Sequence, residues 1–260
     1  MSLTIAQWHA RFSQQAAWTK QLRTYLYSQI GLDSNARVLE VGCGTGVLSD
    51  DFAGFKQITY FGLDIDLPRL GFAAAHHSTK SSFLNADAYS LPFPDGSFDL
   101  VFTHYLFLWL ADPQSALDEM VRVTRSLGSV LALAEPDYGS RIDEPSSLAA
   151  LGSTQVEALQ AQGVHPLTGR TLPHLFSQAG LVQIQFGSSG FQTHVGLLPQ
   201  DFELEWQILE EDLRGSFTAA ELTAYRNLDR QAWLDGSRVL WVPTFYAMGT
   251  KDPKSRANNH

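Results

Sequence analysis

The chain has 260 residues, 44% of them hydrophobic, a formal net charge of -9 and one cysteine, Cys43. That length suits one large α/β domain with insertions; a lone cysteine excludes an internal disulfide, and an acidic balance without any Lys/Arg-rich window disfavours nucleic acid as a partner. No apolar run is long enough to cross a bilayer and the opening MSLTIAQWHARFSQQ lacks the apolar centre of a secretion signal, so a cytoplasmic chain with a small-molecule partner and no membrane contact is expected.

From Thr4 to Ile30, the residues Ile5, Trp8, Phe12, Ala16, Leu22, Leu26 and Ile30 recur mostly every three or four positions, which predicts an amphipathic helix. Short strand-like runs follow: ARVLEVG, ITYFGLD, SSFLNA, FDLVFTHY and SVLALAEP, separated by stretches able to form helices. That alternation predicts a parallel sheet. Asp112-Pro113 reads as an N-cap with proline in the first turn, opening a helix QSALDEMVRVTRS that Gly128 stops, while LPFPDG is a loop. Beyond Pro136 the pattern gives helices in PSSLAALGSTQVEALQAQG and TLPHLFSQAG, and a strand or strand pair in LVQIQFGSSGFQTHV. Two acidic helices come next, DFELEWQILEEDLRG and AAELTAYRNLDRQAWLDG, before a last strand RVLWVPTFYAMGTK. The expected organisation is a helical cap over 1–30, a core over 31–198 and 237–250, a helical insertion over 199–236 and a disordered tail over 251–260. The insertion either covers a site or extends the core.

The stretch RVLEVGCGTG decides what the core holds. A strand enters a glycine turn, Gly42-Cys43-Gly44-Thr45-Gly46, and a helix after it would aim backbone N-H groups at a ligand. The spacing is G-x-G-x-G with Glu40 before it. Val47 stands where a dinucleotide fingerprint needs its third glycine, which argues against a nicotinamide oxidoreductase. A carboxylate beside the turn repels a pyrophosphate and suits a cationic amino-acid ligand.

On these residues the chain resembles the class I S-adenosylmethionine-dependent methyltransferases over about Val38 to Pro136. The resemblance implies a Rossmann-like, doubly wound seven-stranded sheet with helices on both faces, the last strand antiparallel, and the cofactor across the carboxyl ends of the first strands. It assigns the cofactor S-adenosyl-L-methionine to Glu40, Gly42, Cys43, Gly44 and Gly46, and its ribose to Asp64 with Ile65 beside it, about 20 residues past the first glycine. Asp66 caps the next helix. In NADAYS, Asp87 would meet the adenine amino group and the Ala88 N-H a ring nitrogen, while Asp99 is structural. Arg23, on the first helix with Trp18 and Thr19, would pair with the cofactor's carboxylate or else face solvent.

Methyl transfer from a sulfonium needs alignment more than acid-base machinery. Where a base helps, the residues after strands four and five are candidates: His104, with Tyr105 beside it, and Glu135, Asp137 and Tyr138. His104 also borders the cofactor edge. Glu135 and Asp137 equally suit turn chemistry in EPDYG. His165, His174 and His194 show no metal-ligand spacing, so no metal is expected. The signature N-P-P-Y is missing after strand four, which reads THYL, and this disfavours nucleic-acid amino groups. Phe202, Trp206 and Leu209 at helical spacing suggest an uncharged or aromatic acceptor, or are simply core. A protein that binds the cofactor without chemistry is the competing reading.

Overall fold

The computed structural model describes residues 3–55, 57–77, 81–189 and 195–253. Helix α1 spans Ile5–Ile30. Thr4 and Gln7 form a reciprocal capping box at its start, and Gly31, left-handed at φ 62°, ends it. Strand β1 (Arg37–Val41) leads through the glycine turn into a short 3-10 turn (Val47–Ser49) and α2 (Asp50–Ala53), a shorter helix than such a turn usually opens. Then come β2 (Thr59–Asp64), α3 (Leu67–His76), β3 (Ser81–Asn85), β4 (Phe98–Thr103) and α4 (Pro113–Val123). Asp66 accepts from Arg69 N and Asp112 from Ser115 N, so both expected caps form, each with proline in the first turn.

The remaining elements are β5 (Thr124–Pro136), β6 (Ile142–Glu144), α5 (Ala149–Ala161), α6 (Leu172–Gln178), β7 (Leu181–Ser188), α7 (Phe202–Asp212), α8 (Ala219–Asp235), β8 (Val239–Trp241) and β9 (Thr244–Lys251). Two boundaries differ from the sequence expectation. Helix α4 stops at Val123 because the β-branched Val123-Thr124 pair turns the chain, Thr124 Oγ1 bonds back to Met120 O at 2.7 Å, and Thr124 joins the sheet opposite Phe98. The last strand is broken by Pro243, which has no N-H to give a ladder. Its first part pairs with β6 in a separate ribbon, and only β9 enters the main sheet. The expected second half of the β7 hairpin and most of the tail lie outside the described residues.

The main sheet has the order β3-β2-β1-β4-β5-β9-β7, with β9 antiparallel to both neighbours and the other pairs parallel. β1 therefore has neighbours reached by crossovers in opposite directions, which opens a crevice at its carboxyl end. Each face carries its own core. Ala16 and Leu26 of α1 pack with Phe52, Val38, Leu100 and Phe102 on one; Ala116, Leu117 and Met120 of α4 and Phe176 of α6 pack with Leu39, Val101 and Val130 on the other.

A third core lies off the sheet. Phe202, Trp206 and Leu213 meet Ala232 and Trp233 of α8 and also Leu148 and Leu151 at the start of α5. The helices of 199–236 are thus part of a larger lobe that includes α5 and the β6/β8 ribbon. Arg238 fastens it, buried between Asp229 at 2.5 Å and Asp143 at 2.8 Å.

Candidate functional site

Gly42, Gly44 and Gly46 take φ values of 76°, 53° and 77°, a region that strains any side chain. Their carbons are also overlain: a Cβ on Gly42 would lie 2.7 Å from Leu106 and one on Gly44 2.8 Å from Phe12 of α1. The turn is tied to the end of β2. Gly42 N and Cys43 N donate to Leu63 O at 2.7 and 2.9 Å, and Gly44 N donates to Asp64 Oδ2 at 2.7 Å. Asp64 Oδ1 accepts from Asp66 N at 2.9 Å, which leaves each carboxylate oxygen a further lone pair.

Beyond Asp64 the edge is apolar and uncovered: Ile65 is 72% exposed and Leu67 64%. Asn85 Nδ2 donates to the carbonyls of Asp64 and Ile65 at 3.0 and 2.9 Å, locking the ends of β2 and β3 together. Asp87 follows, exposed, its Oδ1 receiving Tyr89 N at 3.0 Å, with Ala88 buried beside it. Beneath the turn, the Tyr60 phenol donates to Glu40, and burial raises the Glu40 carboxyl to about 8 against that hydrogen bond. Burial, with the charges of Glu40 and Asp64, pushes the Cys43 thiol well up, so it is an inert packing group.

Helix α1 lies across this edge. His9 Nδ1 is 2.9 Å from Thr45 Oγ1, Phe12 covers Gly44, and the Arg69 guanidinium stands 5.1 Å over Trp8 and 5.5 Å over Phe12. On its adjoining face Arg11 pairs with Glu205 of α7, and Gln14 donates to Asp201 and Glu205. None of these contacts was singled out from sequence. The spacing of Ile5, Trp8, Phe12, Ala16, Leu22, Leu26 and Ile30 did mark one helix face, but not what it covers.

The candidates for chemistry part company here. His104 is partly buried at the end of β4, Nε2 3.0 Å from Thr19 Oγ1, and Tyr105 beside it takes φ 55°. Burial, then the charge of Arg23, pulls the His104 pKa down to about 3. Arg23 itself is engaged internally, bound to Asp51 at 2.6 and 3.2 Å, to Thr19 at 2.7 Å and to Ala16 O, and is only 5% exposed. This geometry turns it away from a ligand carboxylate.

Glu135 is fully buried and receives Leu106 N, Phe107 N and Leu108 N at 2.9, 3.0 and 3.3 Å. It holds the segment that covers Gly42. Burial still raises its carboxyl to about 7, opposed by those three bonds. Asp137, 1% exposed, is clamped by Arg170 at 2.6 and 2.7 Å. Both carboxylates are anchors, because their oxygens face donors inside the protein. Tyr138 packs with Tyr105 against Leu108, Leu159 and Val164, and burial pushes both phenols up, Tyr105 to about 12. Trp206 points its indole N-H to Asp229 at 2.7 Å within the third core, so it and Phe202 are packing residues and say little about the acceptor. His194 lies outside the described residues, among which no group of His, Cys, Asp or Glu is arranged to hold a metal ion and no helix is long and apolar enough to cross a membrane.

Residues 39–132 match the methyltransferase domain family model. An uncharacterised methyltransferase of Schizosaccharomyces pombe is 31% identical over 148 residues, 52% of this chain and 53% of that protein; the chain thus spans about half of that relative's length. The O-methyltransferase rstn1 of Aspergillus nomiae is 28% identical over 65% of this chain and 74% of its own. Among solved structures, a Bacillus halodurans protein described as a methyltransferase superposes with a TM-score of 0.60 at 19% identity, over 88% of this chain and 98% of that one, and speaks for the fold. With the glycine turn, the acid ending β2 and the reversed β9 in one sheet, these matches identify residues 39–132 as a methyltransferase domain and support the class I, S-adenosylmethionine-dependent kind.

Proposed function

We propose that this chain transfers a methyl group from S-adenosylmethionine to a small organic acceptor by in-line displacement. One observation carries the reading: the Asp64 carboxylate, held by Gly44 N and Asp66 N, stands between a bare turn and an uncovered apolar shelf. Its spare lone pairs suit the two ribose hydroxyls, Ile65 and Leu67 suit an adenine face, and Asp87 suits its amino group. The residues present therefore fit the cofactor. Gly42, Cys43, Gly44 and Gly46 let backbone approach it, while Glu40, its carboxyl raised to about 8, supports the turn from beneath through its bond with Tyr60.

The cofactor supplies a methyl on a sulfonium, and its thioether leaves without protonation. What remains for the protein is to align the acceptor and keep water out. We assign that task to α1 and the lobe of α5, α7 and α8, joined by Arg11 and Gln14 to Glu205, with His104, Tyr105 and Tyr138 beneath them at the ends of β4 and β5. The net charge of -9 favours a small acceptor over nucleic acid.

Calorimetric titration with S-adenosylhomocysteine tests the cofactor half, with Asp64→Ala expected to lose about 2–3 kcal/mol. Methyl-labelled cofactor in a metabolite extract tests the other half, the label being expected in a small-molecule fraction. A folded protein that binds no cofactor overturns the reading, and one that binds but transfers no label to any metabolite leaves the non-catalytic alternative.

A further inference from the structure

His104 meets α1 through one hydrogen bond, and the atoms around it bear on which ring nitrogen carries the proton. Thr19 Oγ1 lies 3.0 Å from His104 Nε2 and is also 2.7 Å from Arg23 Nη1. A guanidinium can only donate, so the threonine oxygen is an acceptor there. Its single hydrogen then goes to Gln15 O at 3.1 Å, Ala16 O at 3.4 Å or His104 Nε2. Gln15 O faces the Thr19 N-H one helical turn on, and Ala16 O takes the Arg23 guanidinium. Each carbonyl thus has a donor already, although it keeps a second lone pair, whereas a bare Nε2 has Thr19 as its donor and is the acceptor we assign to the hydroxyl hydrogen. Asp51 clamps Arg23 from the far side, so the guanidinium cannot swing away. A cation next to Nε2 favours a lone pair facing it over an N-H dipole. Among the described residues, no protein acceptor is found for Nδ1.

We propose that Thr19 is a positioning residue that fixes His104 as the Nδ1-H tautomer, making this ring a neutral hydrogen-bond donor toward a ligand oxygen instead of a base. Thr19 and Arg23 act on the ring from α1, so the helix that covers the glycine turn also sets the polarity of the site's wall. The low pKa agrees, since a ring neutral throughout the working range neither takes a proton nor changes sign. Only the use of the donor rests on the methyltransferase reading; the tautomer does not.

Nitrogen-15 labelling of histidine, with long-range proton correlation, reads the two ring nitrogens directly, and His104→Gln assigns the signal. The expected result is a protonated Nδ1 and bare Nε2, unchanged between pH 5 and 8. Thr19→Ser should keep that pattern, and Thr19→Val, checked for folding by circular dichroism, should lose it and weaken S-adenosylhomocysteine binding or raise the acceptor KM several-fold, according to which ligand offers the oxygen. If Thr19→Val does not fold, the wild-type pattern and Thr19→Ser decide. A protonated Nε2, or a ring titrating near its ordinary value, overturns the proposal whether or not the cofactor binds. A chain with the expected tautomer that binds no cofactor overturns the methyltransferase reading alone.

Discussion

Gly44 shows how one missing side chain serves two neighbours. Its φ of 53° and its position under Phe12 mean that a valine there would be strained and would collide with the helix above. Gly44→Val is therefore expected to lower the melting temperature modestly and to abolish S-adenosylhomocysteine binding; calorimetry that finds normal affinity would show the glycines to be structural only. Glu40 and Glu135 carry a pH signature. Both carboxyls are raised by burial, to about 8 and about 7, so the folded state keeps protons that the unfolded chain releases from about pH 4.5 upward. Their contribution is full in acid and is lost as pH rises through these values. Glu40→Gln, which retains an acceptor for Tyr60, should lose less stability than wild type between pH 5 and 8, by on the order of 1–2 kcal/mol in urea denaturation. Equal losses in the two proteins would show that Glu40 titrates normally.

Helix α1 touches both the glycine turn, through His9 and Phe12, and α7, through Arg11 and Gln14. Arg11→Ala strands Glu205, whose carboxyl burial already pushes up, and loosens the roof while leaving the Asp64 edge intact. We expect the acceptor KM to rise about tenfold, equivalent to about 1.4 kcal/mol, with cofactor affinity changed less than twofold; equal losses of both would mean that α1 closes the two sites as one. Much of this was legible in the sequence. The period of α1, both Asp-Pro caps and the strand runs through β5 rest on local patterns, and local patterns were enough. The split of β8 from β9 was not, although Pro243 was in plain view, because pairing with β6 is a contact across almost a hundred positions. The anchoring of Glu135, Asp137 and Arg23 was hidden for the same reason. A carboxylate at a strand end reads as catalytic until one sees which N-H groups or guanidinium it faces.

Separate cores in one chain imply unequal resistance to opening. Two lie against the sheet and share its strands, so they rise and fall together. The third belongs to the lobe of α5, α7, α8 and the β6/β8 ribbon, and it is tied to the rest by Arg11 and Gln14 of α1 to α7 and by the small apolar cluster in which Leu159 of α5 and Val164 meet Leu108, Tyr105 and Tyr138. Trp206 is its largest buried side chain, 2% exposed, and its indole is fastened to Asp229, which also holds Arg238. Trp206→Ala should cost the lobe about 3–5 kcal/mol. It also leaves the Asp229 oxygen short of a donor. The expected result by hydrogen exchange with mass spectrometry is fast exchange across 149–161 and 202–235, with β1, β2 and β4 still protected. S-adenosylhomocysteine should still bind, since the glycine turn and Asp64 belong to the sheet, while methyl transfer should fall or lose selectivity if the lobe roofs the acceptor as proposed. Simultaneous loss of protection in lobe and sheet would instead mean that the molecule folds as one cooperative unit, and the lobe could then open over the acceptor only at the expense of the whole.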